Sequence, residues 1–186
     1  MKIFQKLIQR ASHKALGDLA EDENYRFVRN SYLFEELSPE AFLFVMKRIV
    51  ERRFSQDELI FKQDNLGICV FIVKKGTIDI YLREGENEKI VYATLGEGAL
   101  FGEMSIISAT YRTATAKAVK NDTILLTLST FDIEALSYQY PRDGLKILKG
   151  ITDTIADNLI KATKRLRTTE LELRALKEKL AKHEKW

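Results

Sequence analysis

A glutamate and an arginine nine positions apart carry the strongest chemical signal in the chain. Glu103 follows Phe101 and Gly102, and Arg112 precedes small and hydroxylated residues that begin with Thr113. A guanidinium is a planar, permanently charged fork that can donate paired hydrogen bonds to the oxygens of an anion. A short helix that begins near Glu103 would point free backbone N–H groups and its positive dipole end at the same anion. The spacing therefore predicts an anion site, and Gly102 would let the backbone approach the ligand without a β-carbon.

A cyclic phosphodiester suits such a site. Its single negative charge is not protonated near neutral pH, so its burial requires fixed cations and hydrogen-bond donors. Glu103 alone would repel this ligand, but beside Arg112 it can accept a hydrogen bond from a ribose 2′-hydroxyl. The alternative interpretation is that Glu103 and Arg112 form a buried ion pair in a fold that binds nothing.

Residues 100–115 resemble the phosphate-binding cassette of the cyclic-nucleotide-binding domain family, which includes kinase regulatory subunits, nucleotide-gated channels and catabolite-activator-type regulators. The family pattern is Phe-Gly-Glu, a short helix, and an Arg nine positions after the Glu. The resemblance covers roughly residues 34–135, and its further matches are residues 60–63, the Gly67 turn, residues 70–81 and residues 95–98. Asp64 departs from the family, which usually has Gly there, although Asp tolerates a left-handed turn fairly well.

The resemblance implies a cyclic nucleotide ligand, cAMP or cGMP, and no catalytic residue. The ligand-binding residues that it implies are Phe101, Gly102, Glu103, Met104, Ser105, Arg112, Thr113, Ala114 and, on the C-terminal helix, Thr163. In the family, a Thr directly after the Arg can bind a guanine amino group, but Arg-Thr-Ala occurs in cGMP-responsive and cAMP-responsive proteins alike. Thr163 could reach the base, or it could be an ordinary helix position. Phe101, Met104, Ile106 and Ile107 are also expected in the core.

Periodicity predicts the elements that position these residues. Residues 3–19 have apolar side chains at helical spacing with basic residues among them, and Ser38-Pro39 is a good start for a second helix, which continues to Ile49. From about residue 53 to 129 the period is two, with short β-branched and aromatic runs between turn residues. After Phe131 the pattern is helical, with a break near residues 141–144 and one long helix from about residue 145.

This order predicts a mainly β fold with flanking α-helices. The resemblance makes the fold a cyclic-nucleotide-binding β-roll, a jelly-roll-like double-stranded β-helix. The expected organisation is an N-terminal amphipathic helical segment over residues 1–33, the β-roll over residues 34–135, and a helical segment with a coiled-coil dimerisation helix over residues 136–186. The basic N-terminal helix also admits a position at a membrane surface, but packing against the roll or a partner is favoured for so moderate a charge.

The long helix carries a heptad pattern that predicts a parallel homodimer. Leu166, Leu173 and Leu180 occupy a positions, and Thr169, Leu176 and His183 occupy d positions. The seam is imperfect at Ala162 and Thr169. The flanking g and e′ positions give three attractive pairs, which are Arg165 with Glu170, Glu172 with Lys177, and Lys179 with Glu184. Such exposed pairs are individually weak, so they indicate register rather than stability.

The composition suits one compact domain plus an extended appendage. The chain has 186 residues, 45% of them hydrophobic and 31% charged, and a formal net charge of +3. So small a net charge gives no argument for nucleic acid or an anionic membrane as a partner. Cys69 is the only cysteine and has no disulfide partner within the chain. The sequence contains neither a signal peptide nor the ~20-residue apolar run of a membrane span, so a cytoplasmic protein is expected.

The predicted function is that of a sensor, not of an enzyme. His13 and His183 are the only histidines and neither lies in the predicted roll, so the metal site of barrel-type metalloenzymes is not expected. Catabolite-activator-type proteins place a helix-turn-helix domain after the dimer helix, whereas this chain stops at Trp186, so we expect a stand-alone domain without direct DNA binding. Signalling would pass through the C-terminal helix to an unknown effector protein. The alternative is a dimeric scaffold or adaptor with an empty roll.

Overall fold

The structure, a computed structural model, describes residues 22–84, 88–108 and 111–183. The predicted helix over residues 3–19 lies outside the described residues. The elements are, in chain order, α1 (Glu23–Arg29), α2 (Pro39–Met46), β1 (Val50–Phe54), β2 (Leu59–Phe61), β3 (Cys69–Lys75), β4 (Ile78–Glu84), β5 (Glu88–Leu95), β6 (Leu100–Phe101), α3 (Met104–Ser108), β7 (Thr115–Ala118), β8 (Thr123–Ser129), α4 (Thr130–Gln139) and α5 (Pro141–His183). Contacts between Cα atoms divide the chain into two compact units, one that ends at Ile151 and one that begins at Thr152.

The strands of the first unit form two four-stranded antiparallel sheets. Their orders are β1-β8-β3-β6 and β2-β7-β4-β5. Strand β7 contributes Ala116 and Ala118 to the hydrophobic core, and Ala114 just before the strand joins them. Alternate residues of a strand point to the same face, so these three alanines share the core side. Both sheets contribute to one hydrophobic core, to which the aromatic side chains of Phe54, Phe71 and Phe101 belong. The predicted mainly β fold with flanking helices is confirmed.

The helix boundaries agree with the predicted signals at one site and differ at two. Ser38 caps α2 by accepting a hydrogen bond from the Ala41 N–H, and Pro39 opens the helix, as predicted. However, α2 ends at Met46 although the helix was expected to continue to Ile49, and β1 begins at Val50 although strands were expected only from about residue 53. Strand β1 was missed because its VERRF sequence buries only Phe54 and so lacks a clear alternation. Helix α5 begins at Pro141 rather than near residue 145, because Pro is well suited to a first helical turn.

A buried lysine connects α1 to the roll. Lys74 on β3 is 9% exposed, and its Nζ lies 3.0 Å from Glu23 Oε2 on α1 and 3.1 Å from Glu51 Oε2 on β1. Burial alone would lower the pKa of Lys74, but the hydrogen bonds and charges of the two carboxylates outweigh burial and raise the pKa. Lys74 is therefore a charged link between the helix and two strands of the same sheet.

A buried carboxylate connects the beginning of α5 to α2. Asp143 accepts hydrogen bonds from the Ser38 N–H at 3.0 Å and from the Ser38 hydroxyl at 2.6 Å, and it is 7% exposed. Lys146 Nζ lies 3.4 Å from the same carboxylate. Close packing supports the junction, since a Cβ on Gly144 would lie 2.6 Å from the Ser137 Cα. Asp143 thus satisfies polar groups of the residue that caps α2.

The second unit is a solvent-exposed helix. Every side chain from residue 156 to residue 180 is exposed. The seam leucines are 51–66% exposed, and they are Leu159, Leu166, Leu173, Leu176 and Leu180. Their seven-residue repeat at Leu159, Leu166, Leu173 and Leu180 forms an apolar stripe along the helix.

None of the helices in the described ranges combines the length and the apolar character that a membrane crossing requires.

We predict that Asp143→Asn lowers the free energy of unfolding at pH 7 by about 1–2 kcal/mol, because two donors of Ser38 lose a charged acceptor. Burial alone would raise the pKa of Asp143, but the Ser38 hydrogen bonds and Lys146 outweigh it and lower the pKa below its ordinary value of 3.8. The native carboxylate therefore contributes its full stability above about pH 4, and this contribution is lost as the pH falls through the lowered folded-state pKa.

Urea unfolding between pH 2 and pH 7 measures this difference. The wild-type and Asp143→Asn curves should converge toward acid pH. Asp157→Asn removes an exposed carboxylate of the same helix and should leave stability within ~0.5 kcal/mol of the wild type. An equal loss at every pH would show that the charge of Asp143 has no role.

Candidate functional site

The predicted cassette consists of strand β6, a tight turn at Gly102, the one-turn helix α3, and the segment that leads from α3 to β7. Strand β6 pairs with β3 through Phe101 opposite Phe71, and the two rings stack with centroids 5.1 Å apart. Gly102 then takes a φ of +74°, a left-handed conformation that side chains rarely adopt. Helix α3 follows at once, and the chain re-enters the second sheet after Arg112. The predicted approach of the Gly102 backbone to a ligand stays a prediction.

The Arg112 guanidinium lies inside this turn, where two backbone carbonyls and one hydroxyl accept its hydrogen bonds. One terminal nitrogen, Nη1, donates to the Gly102 carbonyl at 2.8 Å and to the Ser105 hydroxyl at 2.9 Å. The other, Nη2, donates to the Cys69 carbonyl at 2.7 Å. Arg112 is 5% exposed, and its Nε has no hydrogen-bond partner among the described atoms. The site therefore presents a buried cation with one unused donor.

Two aromatic rings support the same cation. The Arg112 Cζ lies 4.3 Å from the centroid of the Phe61 ring on β2 and 5.6 Å from that of Phe71 on β3. The two rings are themselves 5.7 Å apart. Because ring faces attract cations, these residues stabilise the charge without using any of its N–H donors.

The backbone of Arg112 is fixed by the loop between β2 and β3. Its N–H donates to the Asn65 carbonyl at 2.7 Å, and its carbonyl accepts from the Asp64 N–H at 2.9 Å. Asp64 has a φ of +66°, so the position where the family usually has Gly adopts a left-handed turn here too. The expectation that Asp would tolerate this turn is confirmed.

The electrostatics of the site combine burial with two nearby acidic groups. Burial lowers the pKa of Arg112, whereas Cys69 and Glu103 oppose that effect. Glu103 is 6% exposed, and its charge also raises the pKa of Tyr92 on β5, for which burial is the larger cause. Burial raises the pKa of the Cys69 thiol despite the nearby Arg112. The site thus holds a cation and a carboxylate that are both largely removed from solvent.

The structure brings together most of the predicted ligand residues. Phe101, Glu103, Ser105 and Arg112 are buried around the turn at Gly102, whereas Ala114 is buried in the hydrophobic core. Thr113 adjoins Arg112 and is exposed, and its hydroxyl lies 3.7 Å from the Met104 sulfur.

The expectation of a core position is wrong for two residues of α3. Met104 is 47% exposed and Ile107 is 54% exposed. Helix α3 has only five residues, and its buried side carries Ser105, whose hydroxyl meets Arg112. With little more than one turn, the helix has to leave Met104 and Ile107 toward solvent.

Thr163 lies in the second unit, away in sequence from the cassette. Its side chain is exposed, and its hydroxyl donates to the Leu159 carbonyl one turn earlier at 2.9 Å. A contact between Thr163 and the nucleotide base stays a prediction.

Sequence reasoning missed three contributors to the Arg112 site. Phe61 appeared only within residues 60–63 of the resemblance, Cys69 only as a cysteine without a disulfide partner, and Gly67 only as a turn. A Cβ on Gly67 would lie 2.2 Å from the Ser105 Cβ. The absence of a side chain at Gly67 therefore leaves room for Ser105 to reach Arg112. Cys69 acts through its carbonyl, which no residue type encodes, and only a three-dimensional register could have found it.

A cavity of about 270 Å³ adjoins the Arg112 backbone, since Asp64, which donates to the Arg112 carbonyl, lines it together with Leu59, Lys62, Gln63, Tyr81 and Thr115. None of the predicted ligand residues lines this cavity. The described part of the chain contains no cluster of three or more His, Cys, Asp or Glu side chains suited to a metal ion.

Comparison with known proteins agrees with this geometry. Residues 51–140 match the family model "Cyclic nucleotide-binding domain". The cyclic AMP receptor protein of Thermus thermophilus is 33% identical over 78% of this chain and 62% of its own length. The cGMP-dependent protein kinase 2 of Mus musculus is 25% identical over 97% of this chain and 24% of its own length. The fold resembles the crystal structure of a cyclic nucleotide-binding domain from Methylobacillus flagellatus, with a TM-score of 0.66, 21% identity, and coverage of 75% of this chain and 78% of that one.

Residues 51–140 therefore form a domain of the cyclic-nucleotide-binding family. The predicted family and the predicted β-roll are confirmed. The chain spans less than two thirds of the two relatives named above, 62% of one and 24% of the other.

We predict that Gly67→Ala destabilises the protein by about 1–3 kcal/mol, because the new Cβ would have to displace Ser105 and lies 3.2 Å from the Arg112 Cζ. Urea denaturation measures the loss. Gly96→Ala is the matched control, since a Cβ there meets nothing within 4 Å, and it should leave stability unchanged or slightly raised. Equal stability of the two variants would show that the packing around Ser105 is loose.

Proposed function

We propose that this chain binds one cyclic nucleoside monophosphate, cAMP or cGMP, at the cassette, and that Arg112 binds the cyclic phosphate. The single observation that carries this proposal is the unused Nε donor of a buried guanidinium. An unsatisfied buried donor costs roughly 1–3 kcal/mol, so the site is suited to a ligand oxygen that accepts its hydrogen bond.

The donor count of Arg112 supports the same assignment. A guanidinium has five N–H donors, and the Gly102 carbonyl and the Ser105 hydroxyl use the two of Nη1. Nη2 donates to the Cys69 carbonyl, and the Cys69 sulfur lies 3.7 Å from the same nitrogen. The contacts with neutral groups fix the direction of the guanidinium while its charge remains available to an anion. A phosphate oxygen at Nε would complete the set.

We assign the ribose and the base of the ligand to residues that neighbour Arg112. Glu103 is buried close enough to Arg112 to affect its pKa, and we assign it to the ribose 2′-hydroxyl. Thr113 is exposed beside Arg112 and is assigned to the base. The name of the Thermus relative refers to cyclic AMP and that of the mouse relative to cGMP, so both bases belong in the test.

A short chain of contacts runs from Arg112 to the first turn of α4, and we propose it as the route of the signal. Cys69 accepts from Arg112, and the carbonyl of the preceding residue, Ile68, accepts from the Thr130 N–H at 3.0 Å. Thr130 is the first residue of α4. A ligand that draws Arg112 toward its phosphate would pull on β3 and thereby favour another position of α4, provided that it binds the two states with different affinity.

We further propose that the chain acts as a cytoplasmic homodimer that presents its ligand state to an effector protein, without catalysis and without direct binding of nucleic acid or membrane. The exposed leucine stripe of α5 and the three attractive g–e′ pairs support a parallel coiled coil. The competing function is a dimeric scaffold whose roll is empty. A binding experiment separates the two.

Calorimetry with cAMP, cGMP and a cyclic dinucleotide is the direct test. We expect tight 1:1 binding of one or both monophosphates by the wild-type chain. Arg112→Ala should weaken this binding by roughly 2–5 kcal/mol, or about one and a half to three and a half decades, because a buried phosphate loses its cation. Arg112→Lys retains the charge but not the fork, and it should lie between the two.

Arg53→Ala is the matched control, because its side chain is 70% exposed on β1 and lies outside the cassette. It should bind like the wild type. Thermal unfolding in the presence of each nucleotide checks that the variants are folded and reports the same ranking. Undiminished affinity in a folded Arg112→Ala would remove the proposed phosphate site, and a wild-type chain that binds no monophosphate would favour the scaffold.

The dimer has a separate test. We expect sedimentation equilibrium to give twice the chain mass for the wild type and a monomer for the double variant Leu166→Asp and Leu173→Asp, because charges at two a positions would lie buried in the seam. Leu171→Asp is the control, since Leu171 is an f position that is 60% exposed. A wild-type monomer, or dissociation by Leu171→Asp alone, would contradict the heptad assignment.

A further inference from the structure

The thioether of Met104 lies in contact with the hydroxyl of Thr113 at the edge of the cassette. The Met104 sulfur is 3.7 Å from the Thr113 Oγ1. Met104 is the first residue of α3 and is 47% exposed, and Thr113 is exposed as well. A thioether is only a weak hydrogen-bond acceptor, so this contact holds the hydroxyl proton loosely. The residue assigned to the base therefore adjoins a sulfur that solvent can reach.

The exposure of Met104 makes it a target for oxidation. Of the residues that the structure describes, two are methionines, and the other is Met46, which is partly buried at the end of α2. Oxidation of a thioether requires direct contact between the oxidant and the sulfur, so an exposed methionine reacts faster than a buried one. A peroxide in solution should therefore reach Met104 before Met46.

Hydrogen peroxide would convert the Met104 thioether to a sulfoxide. One peroxide oxygen is transferred to the sulfur, so the O–O bond breaks, an S–O bond forms and water leaves. The sulfur is oxidised by two electrons, and the peroxide is reduced by two. The sulfoxide oxygen is polar and accepts hydrogen bonds much better than the thioether, so it would hold the Thr113 proton firmly. Thr113 would then offer only its lone pairs to a ligand.

A hydroxyl that can only accept distinguishes the two purines. Thr113 adjoins Arg112, which is assigned to the phosphate, so its hydroxyl should meet the edge of the base nearest the sugar. On that edge guanine has an amino donor beside a ring nitrogen, whereas adenine has only the ring nitrogen, which is an acceptor. With its proton held by the sulfoxide, Thr113 can still accept from guanine but can no longer donate to adenine.

We propose that Met104 is a methionine oxidation site that changes the base preference of the cassette through Thr113. The thioether leaves the Thr113 hydroxyl able to donate, and the sulfoxide makes it an acceptor that favours guanine over adenine. This inference rests on the proposed function, because it assumes that Thr113 contacts the base. The oxidant is a peroxide, and the change is reversible because methionine sulfoxide can be reduced enzymatically.

Dilute hydrogen peroxide, followed by peptide mass spectrometry and calorimetry of the whole chain, tests the proposal. We expect sulfoxide to form at Met104 several times faster than at Met46. In the oxidised protein the cAMP affinity should fall by about threefold to tenfold, because one hydrogen bond to the base is lost, and the cGMP affinity should stay within about twofold. Treatment with methionine sulfoxide reductases should restore the cAMP affinity.

Three variants connect the effect to this pair of residues. Met104→Leu has an apolar side chain of similar size without sulfur, and its cAMP affinity should not respond to peroxide. This variant retains Cys69, so a response in it would come from the thiol beside Arg112 and would overturn the proposal. Thr113→Val should lower the cAMP affinity without oxidation, and peroxide should lower it little further. Met46→Leu is the matched control and should respond like the wild type.

Several outcomes contradict this inference. Equal oxidation rates at Met46 and Met104 would overturn it, as would a further, additive loss of cAMP affinity in oxidised Thr113→Val. Urea unfolding curves of the treated and untreated protein should coincide, and a loss of stability on oxidation would show a packing effect instead. A wild-type chain whose cAMP affinity is unchanged by peroxide overturns this inference alone, whereas one that binds neither monophosphate before treatment overturns the proposed function with it.

Discussion

The constraint on which the site depends is the burial of one permanent positive charge. A guanidinium removed from water loses a large hydration energy, so it requires partners from the protein around it. For Arg112 these are two carbonyls, one hydroxyl and the face of Phe61. These neutral oxygens and ring faces compensate for lost hydration without cancelling the charge, whereas the buried carboxylate of Glu103 nearby offsets part of it. The same contacts therefore stabilise the buried cation and keep its N–H groups directed within the site.

This solution dictates several local choices of residue. The carbonyl of Gly102 can reach Arg112 only because the backbone turns left-handed there, and a Cβ at Gly102 would lie 2.6 Å from the Arg112 Nη1. Ser105 reaches the guanidinium because Gly67 leaves space for it. The Asp64–Arg112 and Arg112–Asn65 backbone hydrogen bonds hold the loop after β2 against the same residue. The cassette thus contains segments that are distant in sequence, and each of them contacts Arg112.

The sequence predicted the site at the level of side chains but not at the level of the backbone. Glu103, Arg112 and Gly102 were selected as site residues because their types and spacing are specific. The mainly β fold was predicted because alternation over residues 53–129 is a strong signal, and the resemblance to the family identified it as a β-roll. The Cys69 carbonyl was missed because its position depends on register, which one sequence does not encode locally. Strand β1 was missed, and Met104 was wrongly expected in the core, for a related reason. Both elements have only five residues, which are too few to show a clear repeat of buried and exposed positions.

The pre-positioned arginine also bears on how a signal could arise. Because hydrogen bonds already order Arg112, binding energy is not spent on ordering the cation, and a displacement of Arg112 by a phosphate is passed to the Cys69 carbonyl that accepts from it. A ligand shifts a conformational equilibrium only through contacts that differ between the two states. Helix α3 offers a second place for such differences, because Met104 and Ile107 are exposed there. Under the proposed function, Arg112 supplies affinity, and the short helix and the Ile68–Thr130 contact supply the change in shape.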